Sequence, residues 1–161
     1  MEELKNKTCC FTGHREIPFD KIPLIYQQVE NEVKTLIQNG YLYFGSGGAR
    51  GFDAIAAEVV LKLKKIYPQI RLILVLPCVE QTMGWNKKDL EKYKYIMRKS
   101  DKIVYTSYNY TKDCMHKRNR HLVDNSSACI CYLNKNYGGT FYTVNYAKKE
   151  NIKIIPIIMD V

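Results

Sequence analysis

Two glycine-rich segments carry the residues best suited to chemistry. The first, Gly45-Ser46-Gly47-Gly48-Ala49-Arg50-Gly51-Phe52-Asp53, follows an apolar run and opens a helical pattern. Without side chains, backbone N–H groups there can approach an anion closely, and the positive end of a helix dipole adds attraction. The spacing is neither GxGxxG nor a P-loop, because no Gly-Lys-Ser/Thr follows. It therefore points to phosphate contact without naming a nucleotide, or to a tight strand-to-helix turn, although four glycines exceed what a turn requires. Asp53 fits two roles, capping the helix or accepting hydrogen bonds from a ribose; it is also the one candidate here for a catalytic carboxylate. The second segment, Tyr137-Gly138-Gly139-Thr140, repeats the arrangement, and its Thr140 could both cap a helix and contact a phosphate. Two such loops suit two anionic groups, or one phosphate and a sugar.

Other candidates lie between and before these loops. Thr12-Gly13-His14-Arg15 ends the first apolar run. The planar fork of Arg15 suits a phosphate, and His14 could bind a ligand, exchange a proton or simply occupy an exposed turn. In Met115-His116-Lys117-Arg118-Asn119-Arg120-His121, helical spacing puts Arg118 on one face with Met115 and Leu122, directed toward a sheet. A buried arginine needs an anionic partner, from the protein or from a ligand. Lys117, Arg120 and His121 read as a solvated face. Trp85 or Tyr108 could stack on a base, or be a rim or core aromatic.

These residues need a scaffold, and the hydrophobic pattern supplies one. Strands are predicted at Thr8–Thr12, Tyr41–Phe44, Leu72–Leu76, Ile103–Thr106, Ala128–Leu133 and Ile152–Ile158. Most are continuously apolar, as strands buried on both faces of a parallel sheet are. Pro156 marks the last as an edge or interrupted strand. Helices are predicted from Asp20 (as N-cap) to a stop at Gly40, then over Ala54–Ile66, Lys88–Arg98, Asp113–Asn125 and Thr140–Lys149. The alternation implies a single α/β domain over residues 1–161, a Rossmann-like three-layer sandwich whose mostly parallel sheet has about six strands. Such sheets bind ligands beyond the carboxyl ends of their strands, where all the loops above fall. Right-handed crossovers follow; the strand order does not.

Composition narrows the partners. The chain has 161 residues, 46% hydrophobic and 25% charged, with 25 Lys+Arg against 16 Asp+Glu for a net +9. This excludes disorder, collagen-like repeats and coiled coils, and it favours an anionic partner. Residues 86–120 hold eleven Lys/Arg and four Asp/Glu, interleaved with Tyr93, Tyr95, Tyr105, Tyr108 and Tyr110. That stretch suits a single-stranded nucleic acid or, as charge runs more often do, a solvated helix face over core tyrosines. The N-terminus lacks the apolar stretch of a signal peptide, and the longest apolar run, Leu72 to Val79, is too short to span a membrane. A cytoplasmic protein without membrane contact is expected. Cys9, Cys10, Cys129 and Cys131 lie in apolar runs as small hydrophobes, and no zinc-type spacing occurs, so no metal is expected.

The order and spacing of Thr12-Gly13-His14-Arg15, Ser46 to Asp53, Arg118-Asn119 with Leu122-Val123-Asp124-Asn125-Ser126, and Gly138-Gly139-Thr140 with Tyr146-Ala147 resemble the SMF/DprA–LOG (SLOG) superfamily, its YpsA-like branch above all. The resemblance implies a nucleotide or ADP-ribose-like ligand, with no further cofactor required. It assigns Thr12, Gly13, His14, Arg15, Gly45, Ser46, Gly47, Gly48, Gly51, Asp53, Arg118, Asn119, Gly138, Gly139 and Thr140 to the binding site. The LOG branch cleaves the N-glycosidic bond of nucleoside 5′-monophosphates with motifs MHxRK and PGGxGTxxE. Met115-His116-Lys117-Arg118-Asn119 is similar to the first. In the second, the catalytic glutamate would fall at Thr143, which offers no carboxylate, and the proline is missing. The expectation is ligand binding or sensing without catalysis, with LOG-like hydrolysis and DprA-like binding of single-stranded nucleic acid as alternatives. A homo-oligomer is expected from apolar helix faces of such a sandwich.

Overall fold

The structure, a computed structural model, describes residues 2–158, so Met1 and residues 159–161 of the expected domain lie outside the described residues. A short helix α1 (Glu2–Lys5), which the sequence did not suggest, precedes β1 (Thr8–Gly13). There follow α2 (Ile22–Gln38), β2 (Tyr43–Ser46), α3 (Phe52–Lys64), β3 (Arg71–Leu76), α4 (Lys87–Lys99), β4 (Lys102–Tyr105), α5 (Cys114–Asp124), β5 (Ala128–Tyr132), α6 (Gly139–Lys149) and β6 (Lys153–Pro156). Every predicted strand and helix is present, with shifted ends.

The shifts have local causes. Asp20 is not the N-cap of α2. It sits in a 3-10 turn over Phe19–Lys21, and Pro23 near the helix start replaces a side-chain cap with a fixed φ. At the other end Gly40 takes φ +93°, the left-handed conformation that stops the helix. Thr140 does not cap α6 either. Gly138, at φ +93°, holds that position, and Thr140 lies within the first turn. Asp53 likewise belongs to the first turn of α3, behind a Gly51 N-cap at φ +78°.

All six strands are parallel, in the order β4-β3-β2-β1-β5-β6. The chain first steps outward from β1 to β4, then crosses back to β5 on the other side of β1. The order reverses at β1, and the loops after β1 and β5 diverge there to leave a crevice. Helices α2, α3 and α4 pack together on one face of the sheet, α5 and α6 on the other.

The first face holds the larger core. Val29, Val33 and Leu36 of α2 and Val59, Val60 and Leu63 of α3 close over Phe11, Phe44, Leu72 and Leu74. On the second face Leu122, Val123, Val144 and Ala147 cover Cys10, Cys129 and Cys131. The six cysteines are free thiols and buried; burial raises the pKa of Cys9 and Cys131, and a hydrogen bond with Cys10 followed by burial raises that of Cys129, which disfavours the thiolate at these three. β6 is an edge strand, as Pro156 requires. None of the described helices is long and apolar enough to cross a membrane.

Candidate functional site

A cleft of about 510 Å³ opens at the reversal point, over the carboxyl ends of β1 and β5. Ten of the fifteen candidate residues line it: Thr12, Gly13, His14 and Arg15 from the end of β1, Asp53 from α3, Arg118 and Asn119 from α5, and Gly138, Gly139 and Thr140 from the start of α6. Gly45, Ser46, Gly47, Gly48 and Gly51 are not on its lining. Gly45, Ser46, Gly47 and Gly48 are buried, and two N–H groups of the loop serve the protein itself. Gly48 donates to Ser46 Oγ, and Ala49 donates to Asp53 Oδ2 at 3.3 Å.

The first loop is glycine-rich because other groups need the space. A Cβ on Gly47 would stand 2.6 Å from Arg118 Nη1, and one on Gly48 2.6 Å from Leu76 Cδ2. A Cβ on Gly51 would overlap the Arg15 carbonyl, and one on Gly13 the Phe52 ring. The second loop differs. Nothing lies within 4 Å of a Cβ at Gly138 or Gly139, and no side chain caps α6. Its first-turn N–H groups therefore meet the cleft with the positive end of the helix dipole.

Arg118 is only 3% exposed, as its helical spacing suggested. Its contacts are neutral: Nη1 donates to the Gly47 carbonyl and to Gln81 Oε1 at 3.4 Å, Nε donates to Asn119 Oδ1 at 2.7 Å, and Met115 Sδ lies 3.9 Å from Nη2. The expected anionic partner is at a distance. Asp53 attracts Arg118 without ion-pair contact among the described residues. Desolvation dominates for both: burial lowers the Arg118 pKa, with Asp53 opposing, and raises that of Asp53, with Arg118 and the Ala49 N–H opposing. Gln81, buried beside Arg118 and donating to Gly47 O, was missed from the sequence because a lone Gln in a loop carries no signal.

His14 does not sit in a free turn. Its Nε2 accepts the Asn134 N–H at 3.0 Å and its ring edge meets Tyr132, which makes it a neutral acceptor at neutral pH. Burial, then Lys135, lowers its pKa. Arg15 is exposed, contacts Met115 Sδ, and makes no ion pair among the described residues. Lys135, unremarked in the sequence, joins the lining next to it and lies over the Tyr137 ring. His116 also lines the cleft, with its Nδ1 buried and unpartnered and its ring against Tyr142.

Three expectations resolve away from this cleft. Tyr108 is 80% exposed and remote from the lining, whereas Trp85 borders a neighbouring cavity. In the basic stretch Tyr93 packs against the core, whereas Tyr95, Tyr105, Tyr108 and Tyr110 are exposed. Thr143, at the LOG glutamate position, is buried and donates its hydroxyl to the Gly139 carbonyl at 2.9 Å.

Comparison with known proteins agrees with this architecture. The UPF0398 protein BH1768 of Halalkalibacterium halodurans is 30% identical over 141 residues, spanning 86% of this chain and 72% of that protein. A UPF0398 protein of Staphylococcus epidermidis, SERP1017, is 31% identical over 112 residues, 63% of this chain and 60% of its own length. The prophage-derived protein YoqJ of Bacillus subtilis is 30% identical over 124 residues, 70% of this chain and 72% of that protein. In structure, DNA processing protein A of Streptococcus pneumoniae superposes with TM-score 0.70 at 17% identity; the match takes in 98% of this chain but 52% of that one. The same protein from Helicobacter pylori, described for its single-stranded DNA binding mode, gives 0.68 at 19% identity over 99% of this chain and 69% of its own. At these identities the likeness establishes the fold. The sequence model of the YpsA family, described as the YspA SLOG family, matches residues 9–159, and the chain belongs to that family.

Proposed function

We propose that the cleft binds a nucleotide or nucleotide-derived ligand, ADP-ribose-like in joining phosphate to ribose, and holds it without cleaving a bond. The observation that carries this reading is a set of uncompensated positive groups. Arg15 and Lys135 line the cleft with no carboxylate partner among the described residues, beside the uncapped, open start of α6 at Gly138 and Gly139. A phosphate there would gain charge-assisted hydrogen bonds from a guanidinium and from helix N–H groups. Thr140 and Asn119 add polar atoms for a sugar. Hydrolysis is disfavoured because each carboxylate on the lining is engaged, Glu16 by its ion pair with Arg50. Thr143 cannot supply one, and Asp53 is engaged by the Ala49 N–H and by the Arg118 charge.

Calorimetry with ADP-ribose, ADP and AMP tests the reading. We expect saturable binding, weakened about 10- to 100-fold in Arg15→Ala, since a hydrogen bond to a charged group contributes roughly 1.5–3 kcal/mol. Absence of heat with all three ligands would sink it, and release of free base on incubation with AMP would restore the hydrolase reading. A second reading, contact with single-stranded nucleic acid, is favoured by the exposed Tyr95 among exposed lysines of α4 and by the exposed Tyr105, Tyr108 and Tyr110 that follow in the chain. A salt-sensitive shift of an oligonucleotide in a low-salt gel would support it.

A further inference from the structure

A second cavity, of about 440 Å³, lies on the α2–α3–α4 side and shares the walls Arg15, Glu16, Ala49, Arg50 and Asp53 with the cleft. Even together the two volumes stay within the roughly 300–1,000 Å³ of single small-molecule sites, which is room for one ligand that spans both. Their linings differ in kind. Both carry charged walls, but only the second cavity, beside Glu58, Lys88, Asp89 and Lys92, adds the buried Leu74, Ile55 and Ile96 and the aromatic pair Trp85 and Tyr93. These two rings meet edge to face, with centroids 5.3 Å apart.

The backbone fixes Trp85 there. It closes a turn by donating its N–H to the Thr82 carbonyl, and the next residue, Asn86, caps α4 by accepting the Asp89 N–H at 2.8 Å. Tyr93 ties the cavity to the cleft. It lies beside Gln81, which accepts from Arg118 Nη1 at 3.4 Å, so polar side chains run from one cavity wall to the other. Where the cavities adjoin stand two guanidiniums: among the described residues Arg15 makes no ion pair and Arg50 pairs with the exposed Glu16.

Resting on the reading of the cleft given above, we infer that the ligand is two-ended and that the Trp85–Tyr93 cavity seats its planar base. A diphosphate crosses at Arg15, beside the Glu16-paired Arg50, and the remainder of the ligand lies in the cleft. An apolar floor and aromatic wall reward a flat heteroaromatic group through burial and stacking, and the charged rim pair Glu58–Lys92, 3.2 Å apart, leaves polar edges for its ring nitrogens.

The chain contains one tryptophan, so intrinsic emission reports on this cavity directly. Added ADP should change Trp85 emission with a midpoint equal to its calorimetric Kd, whereas inorganic pyrophosphate should bind with heat but leave emission unchanged. Trp85→Leu should weaken ADP at least tenfold and pyrophosphate less than twofold. If ADP binds the parent protein calorimetrically, yet neither Trp85 emission nor affinity in Trp85→Leu changes, the base seat is refuted and the cleft reading survives. If neither ADP nor pyrophosphate binds, both readings fall.

Discussion

At Gly47, Gly48 and Gly51 an added methyl would run into Arg118, Leu76 and the Arg15 backbone, whereas at Gly138 and Gly139 it would meet nothing within 4 Å. The two loops look alike as sequence, each a glycine cluster between a strand and a helix. In the fold, the space freed by the first is occupied by the protein: Arg118, Gln81 and the Arg15 turn close onto it. The space freed by the second is left open at a helix N-terminus. A missing side chain is thus a packing device in one loop and an opening in the other, and the second leaves space for an anion at a helix N-terminus.

The contrast can be broken most severely at Gly51. Alanine there combines a left-handed backbone, costing roughly 1–2 kcal/mol, with overpacking of about 1–3 kcal/mol against Arg15. Gly51→Ala should lower unfolding stability by about 3 kcal/mol in urea denaturation. A midpoint matching the parent would show that the first loop is not closed by packing.

Gly139→Ala probes the other side. The site has ordinary φ and free space, so stability should stay within about 0.5 kcal/mol, the usual range for surface changes. Affinity for ADP should fall roughly tenfold, about 1.4 kcal/mol, if the added methyl occupies the phosphate position. Unchanged affinity with unchanged stability would assign the anion elsewhere.

The smallest effect joins the two loops. His14 follows β1 and accepts from Asn134, which leads into the second loop. Its folded pKa lies below its ordinary 6.5 because of burial and then Lys135. As pH falls below 6.5 the unfolded chain binds a proton that the folded chain resists, so stability present at neutral pH is lost as pH drops through the folded pKa. The loss should approach the roughly 1 kcal/mol of one hydrogen bond. His14→Gln keeps an acceptor without titrating. Thermal melts between pH 7.5 and 5 should therefore slope less steeply for this variant, and parallel slopes would contradict the assignment.

Sequence reading was strongest where a signal is local and repeated. Continuous apolar runs such as Leu72–Leu76 identified buried parallel strands, and the spacing of Met115, Arg118 and Leu122 put Arg118 on the inward face, where it is buried. It was weaker at helix ends. Asp20 and Thr140 have the right chemistry to cap, but Pro23 and Gly138 set the backbone instead. It could not distinguish the two glycine loops, because what fills the space beside Gly47 arrives from Arg118, far along the chain.

The sequence by itself determined the α/β class and the alternation of elements, because hydrophobic period and backbone permissiveness act over a few residues. Tertiary structure alone decided the strand order, hence the reversal at β1 where the cleft opens. It also decided that Arg118 is satisfied by neutral carbonyls, that Gln81 and Lys135 belong to the site, and that Trp85 borders a cavity of its own. Each of those depends on which distant segments pack together, and side-chain type carries no record of its eventual neighbour.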